Sequence, residues 1–93
     1  MENELEHLRK EIDEIDNKLI ELFALRMKTV EKIAKYKQDN NIKITNKNRE
    51  NKINEKIENY PFHIIRHYYG PVSKEIIKAS KRYQKDLIKS DFR

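Results

Sequence analysis

The sequence predicts an all-α fold of three helices with a long first helix. Three observations carry this. Its 93 residues hold one Gly and two Pro, too few turn formers for an all-β chain. Apolar residues recur at spacings of three and four over more than thirty residues, the period of a helix face. Two polar or Pro-containing breaks, Gln38–Thr45 and Tyr60–Pro61, cut the rest into two shorter helical stretches.

The first stripe runs Leu5, Leu8, Ile12, Ile15, Leu19, Leu22, then Arg26, Val30, Ile33 and Lys37. Nothing from about Glu4 to Lys37 breaks a helix. At 1.5 Å per residue the rod is roughly 50 Å long. A compact domain of this size has a radius of gyration of only about 12 Å. Such a helix must therefore either project freely or pack along another chain. After the break, Thr45 or Asn46 can cap a second helix, with Asn46, Glu50, Ile53 and Ile57 on one stripe. The third helix is expected over about Val72–Ile88, presenting Ile76, Ile77, Ala79, Ser80, Tyr83, Gln84 and Leu87, with Pro71 suited to its first turn. The sequence leaves open whether Phe62–Tyr69 is a helical lead-in kinked at Gly70–Pro71 or a loop.

Composition narrows the function classes. The length suits a single domain, residues 1–93, that buries little surface alone. There is no Cys, so neither disulfides nor thiolate metal sites are available to supplement that core. His63 and His67 could share a helix face, but neither His7 nor any other residue offers an evident third ligand. Oligomerisation is the remaining source of burial. The N-terminus is charged and no run of 18 apolar residues occurs, so neither a signal peptide nor a membrane span is expected. A cysteine-free chain of this kind is expected in the cytoplasm. The net charge of +5, from 21 Lys and Arg against 16 Asp and Glu, suits an anionic partner.

The informative residues are polar ones in apolar stripes. Arg26 and Lys37 are eleven apart, three turns plus about 20°, and so share a face. Burying a lone charge is costly, so such cations need an anion. An internal salt bridge, a long side chain snorkelling from the core edge, and a pocket for a small anion all fit. On the second helix Glu50, beside Arg49, continues the line of Ile53 and Ile57; a solvated ion pair is the plain alternative. On the third, Ser80 and Gln84 are neighbours four apart. Arg9 lies seventeen residues before Arg26, about 25 Å along the same rod. If both serve one small ligand, Arg9 must come from a second chain.

The segments LRKEIDEIDNKLIELFALR, IAKYK, NRE and SKRYQ, spread over about residues 5–87, together resemble the all-helical (type II) chorismate mutase family. The resemblance implies a three-helix chain in an intertwined homodimer and a cofactor-free isomerase acting on chorismate, a small dianion. It implies that Arg26 grips one substrate carboxylate and that Arg9, lent by the neighbouring subunit, grips the other. Arg49 matches a further pocket position. Lys37 would bond the ether oxygen and a carboxylate, Gln84 the same ether oxygen, and Glu50 the ring hydroxyl; Ser80 matches the family's Ser. Asn46 stands where the family has Asp, and so brings no negative charge. The same fold serves isochorismate-pyruvate lyases, the nearest alternative. A non-catalytic helical dimerisation or nucleic-acid-binding module is the alternative of another class. Against it, Lys and Glu are mixed along the helices and no nucleic-acid-binding motif is present. The resemblance also admits activation by another enzyme of the pathway.

Overall fold

The computed structural model describes residues 2–90. Three α-helices make up the chain: α1 (Glu2–Asp39), α2 (Lys47–Glu58) and α3 (Gly70–Lys89), with no strand among the described residues. The 57 Å longest dimension matches the length of a 38-residue helix at 1.5 Å per residue. The radius of gyration is 17.1 Å, well above the roughly 12 Å of a compact chain of this size. No described helix is long and apolar enough to cross a membrane.

α1 runs two residues past Lys37 and ends where the backbone turns left-handed at Asn41 (φ 54°), a conformation Asn tolerates. The Ile42 N–H donates to the Lys37 carbonyl (2.8 Å) and the Asn41 N–H to the Gln38 carbonyl (3.4 Å). These are the two bonds of a Schellman cap, and they satisfy carbonyls that the helix end leaves open. Asn46 caps α2: its extended backbone (φ −127°, ψ 96°) brings its side-chain oxygen within 3.0 Å of the Arg49 N–H. The break between α1 and α2 is thus two caps set back to back.

The stretch before α3 proves to be a helical lead-in. From His63 the chain is already helical, and Ile65–Tyr69 forms a π-helical turn that passes directly into α3. Pro71 gives the cause. It has no N–H for the carbonyl four residues back, and its ring would crowd that carbonyl in a regular α-helix. A wider π turn at this point opens the backbone and lets the helix continue.

α3 packs against the C-terminal half of α1, and α2 packs against α3 and its π-helical lead-in. The core is small: Val30 and Ala34 of α1, Ile57 of α2, and the polar Ser73, Ser80 and Gln84 of α3. The N-terminal half of α1 is bare, and Leu5, Leu8, Ile12, Ile15, Leu19 and Leu22 are each 48% to 61% exposed. The polar buried residues of α3 and the bare stripe of α1 are the two features that the packing within one chain leaves unexplained.

Candidate active site

The three helices enclose a cavity of about 470 Å³, within the usual range of small-molecule sites, roughly 300–1,000 Å³. α1 contributes Arg26, Val30, Ile33 and Lys37; α2 contributes Asn46, Arg49, Glu50 and Ile53; α3 contributes Ile77, Ser80, Lys81 and Gln84. Each set follows from helical spacing. Arg26, Val30, Ile33 and Lys37 recur at three and four, as do Ile77, Ser80, Lys81 and Gln84. Seven residues singled out in the sequence therefore meet in one place: Arg26, Lys37, Asn46, Arg49, Glu50, Ser80 and Gln84. Arg9 does not join them. It is exposed on the bare half of α1 and pairs with Glu6 one turn away (3.3 Å).

The cations are held by short-range contacts. The Arg26 guanidinium donates to the Ser80 hydroxyl, which in turn donates to the Ile76 carbonyl (2.9 Å). Ser80 is buried, and the bond fixes one end of the Arg26 fork, leaving its other N–H groups available to a ligand in the cavity that it lines. The Lys37 ammonium donates to the Ile44 carbonyl at 2.7 Å. That leaves donors unused, since an ammonium has three. Its partial burial pushes its pKa below the ordinary 10.5. Asn46 lines the cavity, but its oxygen is engaged in capping α2, so only its amide NH₂ is free to meet a ligand.

Glu50 is the cavity's one carboxylate, and its partner is Lys81. The ammonium stands 3.2 Å from Oε1, to which it donates, and 3.0 Å from Oε2. At Oε2 the two atoms are close but poorly aligned: this oxygen is buried and accepts no hydrogen bond. Gln84 Oε1 is likewise buried without a partner. Turned end for end, that carboxamide would put its NH₂ donor at the same spot. Buried polar atoms without partners cost roughly 1–3 kcal/mol each. Gln84 Oε1, on a residue that lines the cavity, is such an atom, whereas Glu50 Oε2 is offset by the ammonium 3.0 Å away.

Thr29, Ile44 and Lys81 line the cavity without having been singled out in the sequence, and of these Lys81 carries a charge. Its position, four after Ile77 and three before Gln84, would have placed it on the right face. A larger neighbouring hollow of about 590 Å³ shares Arg26, Arg49 and Ile53 and continues past Tyr60, Ile65, Tyr69 and Ile76. It lacks Lys37, Glu50 and Gln84, so the convergent polar chemistry belongs to the smaller cavity.

With Lys81 matched to Glu50, the lining keeps three cations in excess: Arg26, Lys37 and Arg49. No Cys, His, Asp or Tyr among the described residues lines it. Among the described residues, no three His, Cys, Asp or Glu side chains gather as a metal-ligand set. The arrangement can bind a compact polyanion, donate hydrogen bonds to oxygen that gains negative charge, and accept one from a hydroxyl.

A family model for chorismate mutase type II matches residues 8–85. No curated protein and no solved structure gives a match.

Proposed function

The chain belongs to the chorismate mutase type II family, a family of isomerases, and on that premise we propose that it rearranges chorismate to prephenate in the biosynthesis of phenylalanine and tyrosine. The observation that carries this reading is the cavity itself, which gathers Arg26, Lys37 and Arg49 with the Glu50 carboxylate and the buried, unpartnered Gln84 Oε1. A ligand with two carboxylates, an ether oxygen and a ring hydroxyl matches that set of groups.

The reaction is a concerted Claisen shift: a C–O bond breaks as a C–C bond forms, with no proton or electron exchanged with the protein. The enzyme must hold the enolpyruvyl side chain folded over the ring, which is a positioning effect. It must also stabilise the negative charge that gathers on the ether oxygen. In this reading Arg26 binds one carboxylate through a planar, charge-assisted fork. The partner subunit's Arg9 binds the other, in a homodimer formed along the exposed apolar stripe of α1. Lys37 and the amide NH₂ of Gln84 donate to the ether oxygen. Glu50 Oε2 accepts from the ring hydroxyl, and Arg49 adds to the positive field. The cysteine-free composition fits a cytoplasmic setting.

The test is the loss of chorismate absorbance on adding purified protein, with Lys37→Ala as control and isochorismate as a second substrate. Prephenate formation is expected, reduced about 10²-fold or more in Lys37→Ala and in Arg26→Ala. Near-native turnover in a folded Lys37→Ala dimer would contradict the assignment of the lysine. Pyruvate release from isochorismate, without mutase activity, would replace the reaction with that of the lyase.

A further inference from the structure

Among the cations that line the cavity, Lys81 has an anionic partner within the chain. Its ammonium lies 3.0 and 3.2 Å from the two oxygens of Glu50, across the gap between α3 and α2. Both side chains are mostly covered, 26% and 20% exposed, so the pair is less screened by solvent than a surface ion pair. The ammonium sits against both oxygens: it donates to Oε1 and stands still closer to the buried Oε2. A carboxylate held in this way has its rotamer fixed, and the lone pairs directed away from the ammonium remain for a ligand to use.

The surrounding charge shows what the clamp prevents. Arg26, Lys37 and Arg49 line the same cavity. An unclamped carboxylate among three cations would turn toward one of them, because an unpaired, partly buried charge is costly. That would cancel a cation meant for a substrate carboxylate and remove the acceptor from the ring hydroxyl in one movement.

We propose that Lys81 is a positioning residue that holds Glu50 in place as the cavity's hydrogen-bond acceptor, and that it thereby sets the site's selectivity for a substrate bearing a ring hydroxyl. The inference rests on the chorismate reading above. It makes Lys81 act through Glu50, without touching the reacting atoms.

The test is the ratio of kcat/KM for chorismate to kcat/KM for the analogue lacking the ring hydroxyl, measured for the native dimer, Lys81→Met, Lys81→Arg and Glu50→Gln. A ratio of this kind does not depend on how much of a variant preparation is folded. The native protein is expected to favour the hydroxylated substrate by about 10- to 100-fold, the effect of one hydrogen bond to a charged group. Lys81→Met should reduce that preference to within about threefold of unity, with Lys81→Arg restoring most of it. Adding Lys81→Met to Glu50→Gln should then change the ratio no further, since both act through one contact. A native-like preference in Lys81→Met, or an additive loss in the double variant, would overturn the proposal. Native protein that turns over neither substrate would strike the chorismate reading itself, and this inference with it.

Discussion

Lys37 shows how one side chain ties the site to pH. Its partial burial disfavours the ammonium and lowers its pKa from 10.5. Only the charged form can donate to an oxygen gaining negative charge. The sign follows: kcat/KM, which reports the free enzyme, should fall as pH rises through a value below 10.5. A bound dianion favours the ammonium again, so the corresponding limb of kcat should lie at higher pH. In Lys37→Arg, whose guanidinium stays charged, the remaining activity should lose that limb. Rate–pH profiles of the two proteins check this, and identical alkaline limbs would remove Lys37 from the chemistry. The stripe positions of Arg26, Lys37, Glu50, Ser80 and Gln84 could be read from the sequence, but periodicity left internal salt bridges and solvated surface open, and only the family resemblance joined them into one site. Lys81 did not stand out at all. It looks like any other of the 21 basic residues, and its partner is 31 positions away on another helix. Periodicity reports which face a residue is on; it does not report which side chain meets it across a gap.

The helices position these groups through their ends as much as through their faces. Asn46 closes α2 at the point that sets Glu50 one turn into the helix, and the Schellman cap at Asn41 ends α1 just beyond Lys37. The first of these was readable, because Asn before a helical stretch is a recognised cap. The second needs a left-handed residue within a run of polar ones, and several positions in Gln38–Thr45 could have supplied it. The lead-in to α3 was ambiguous for a different reason. Gly70–Pro71 reads as a break, yet a π turn lets the helix pass through it. Gly70 is itself helical (φ −49°, ψ −54°), and a Cβ placed there would meet nothing within 4 Å. Its conformational freedom is thus unused in the fold. Gly70→Ala should stabilise the protein by about 0.5–1 kcal/mol, chiefly by restricting the unfolded chain. Urea denaturation at fixed protein concentration measures it, and a loss of stability would mean that this stretch is not a continuous helix.

At the scale of the whole molecule, the dominant fact is the mismatch between a 57 Å helix and a core of a few residues. The mismatch was visible in the sequence, where an unbroken stripe outran any compact fold of the same length. The six apolar side chains of the stripe, Leu5, Leu8, Ile12, Ile15, Leu19 and Leu22, remain about half exposed. Full burial of such a side chain is worth roughly 1.5–3 kcal/mol, which makes a second copy packed along α1 the natural complement. The same packing would explain why Arg9 lies on the bare half of the helix, away from the residues that line the cavity. Our central claim is that each active site is completed by an arginine from the other chain, and mixing two inactive variants tests it most directly. Arg9→Ala and Lys37→Ala should each be nearly inactive alone. Unfolded and refolded together, they should form mixed dimers in which one site has an intact Lys37 and an intact Arg9 while the other has neither. With random pairing, chorismate turnover should recover to about a quarter of the native value. No recovery, in a sample shown to contain mixed dimers, would mean that Arg9 does not act across chains and that the shared-site account is wrong.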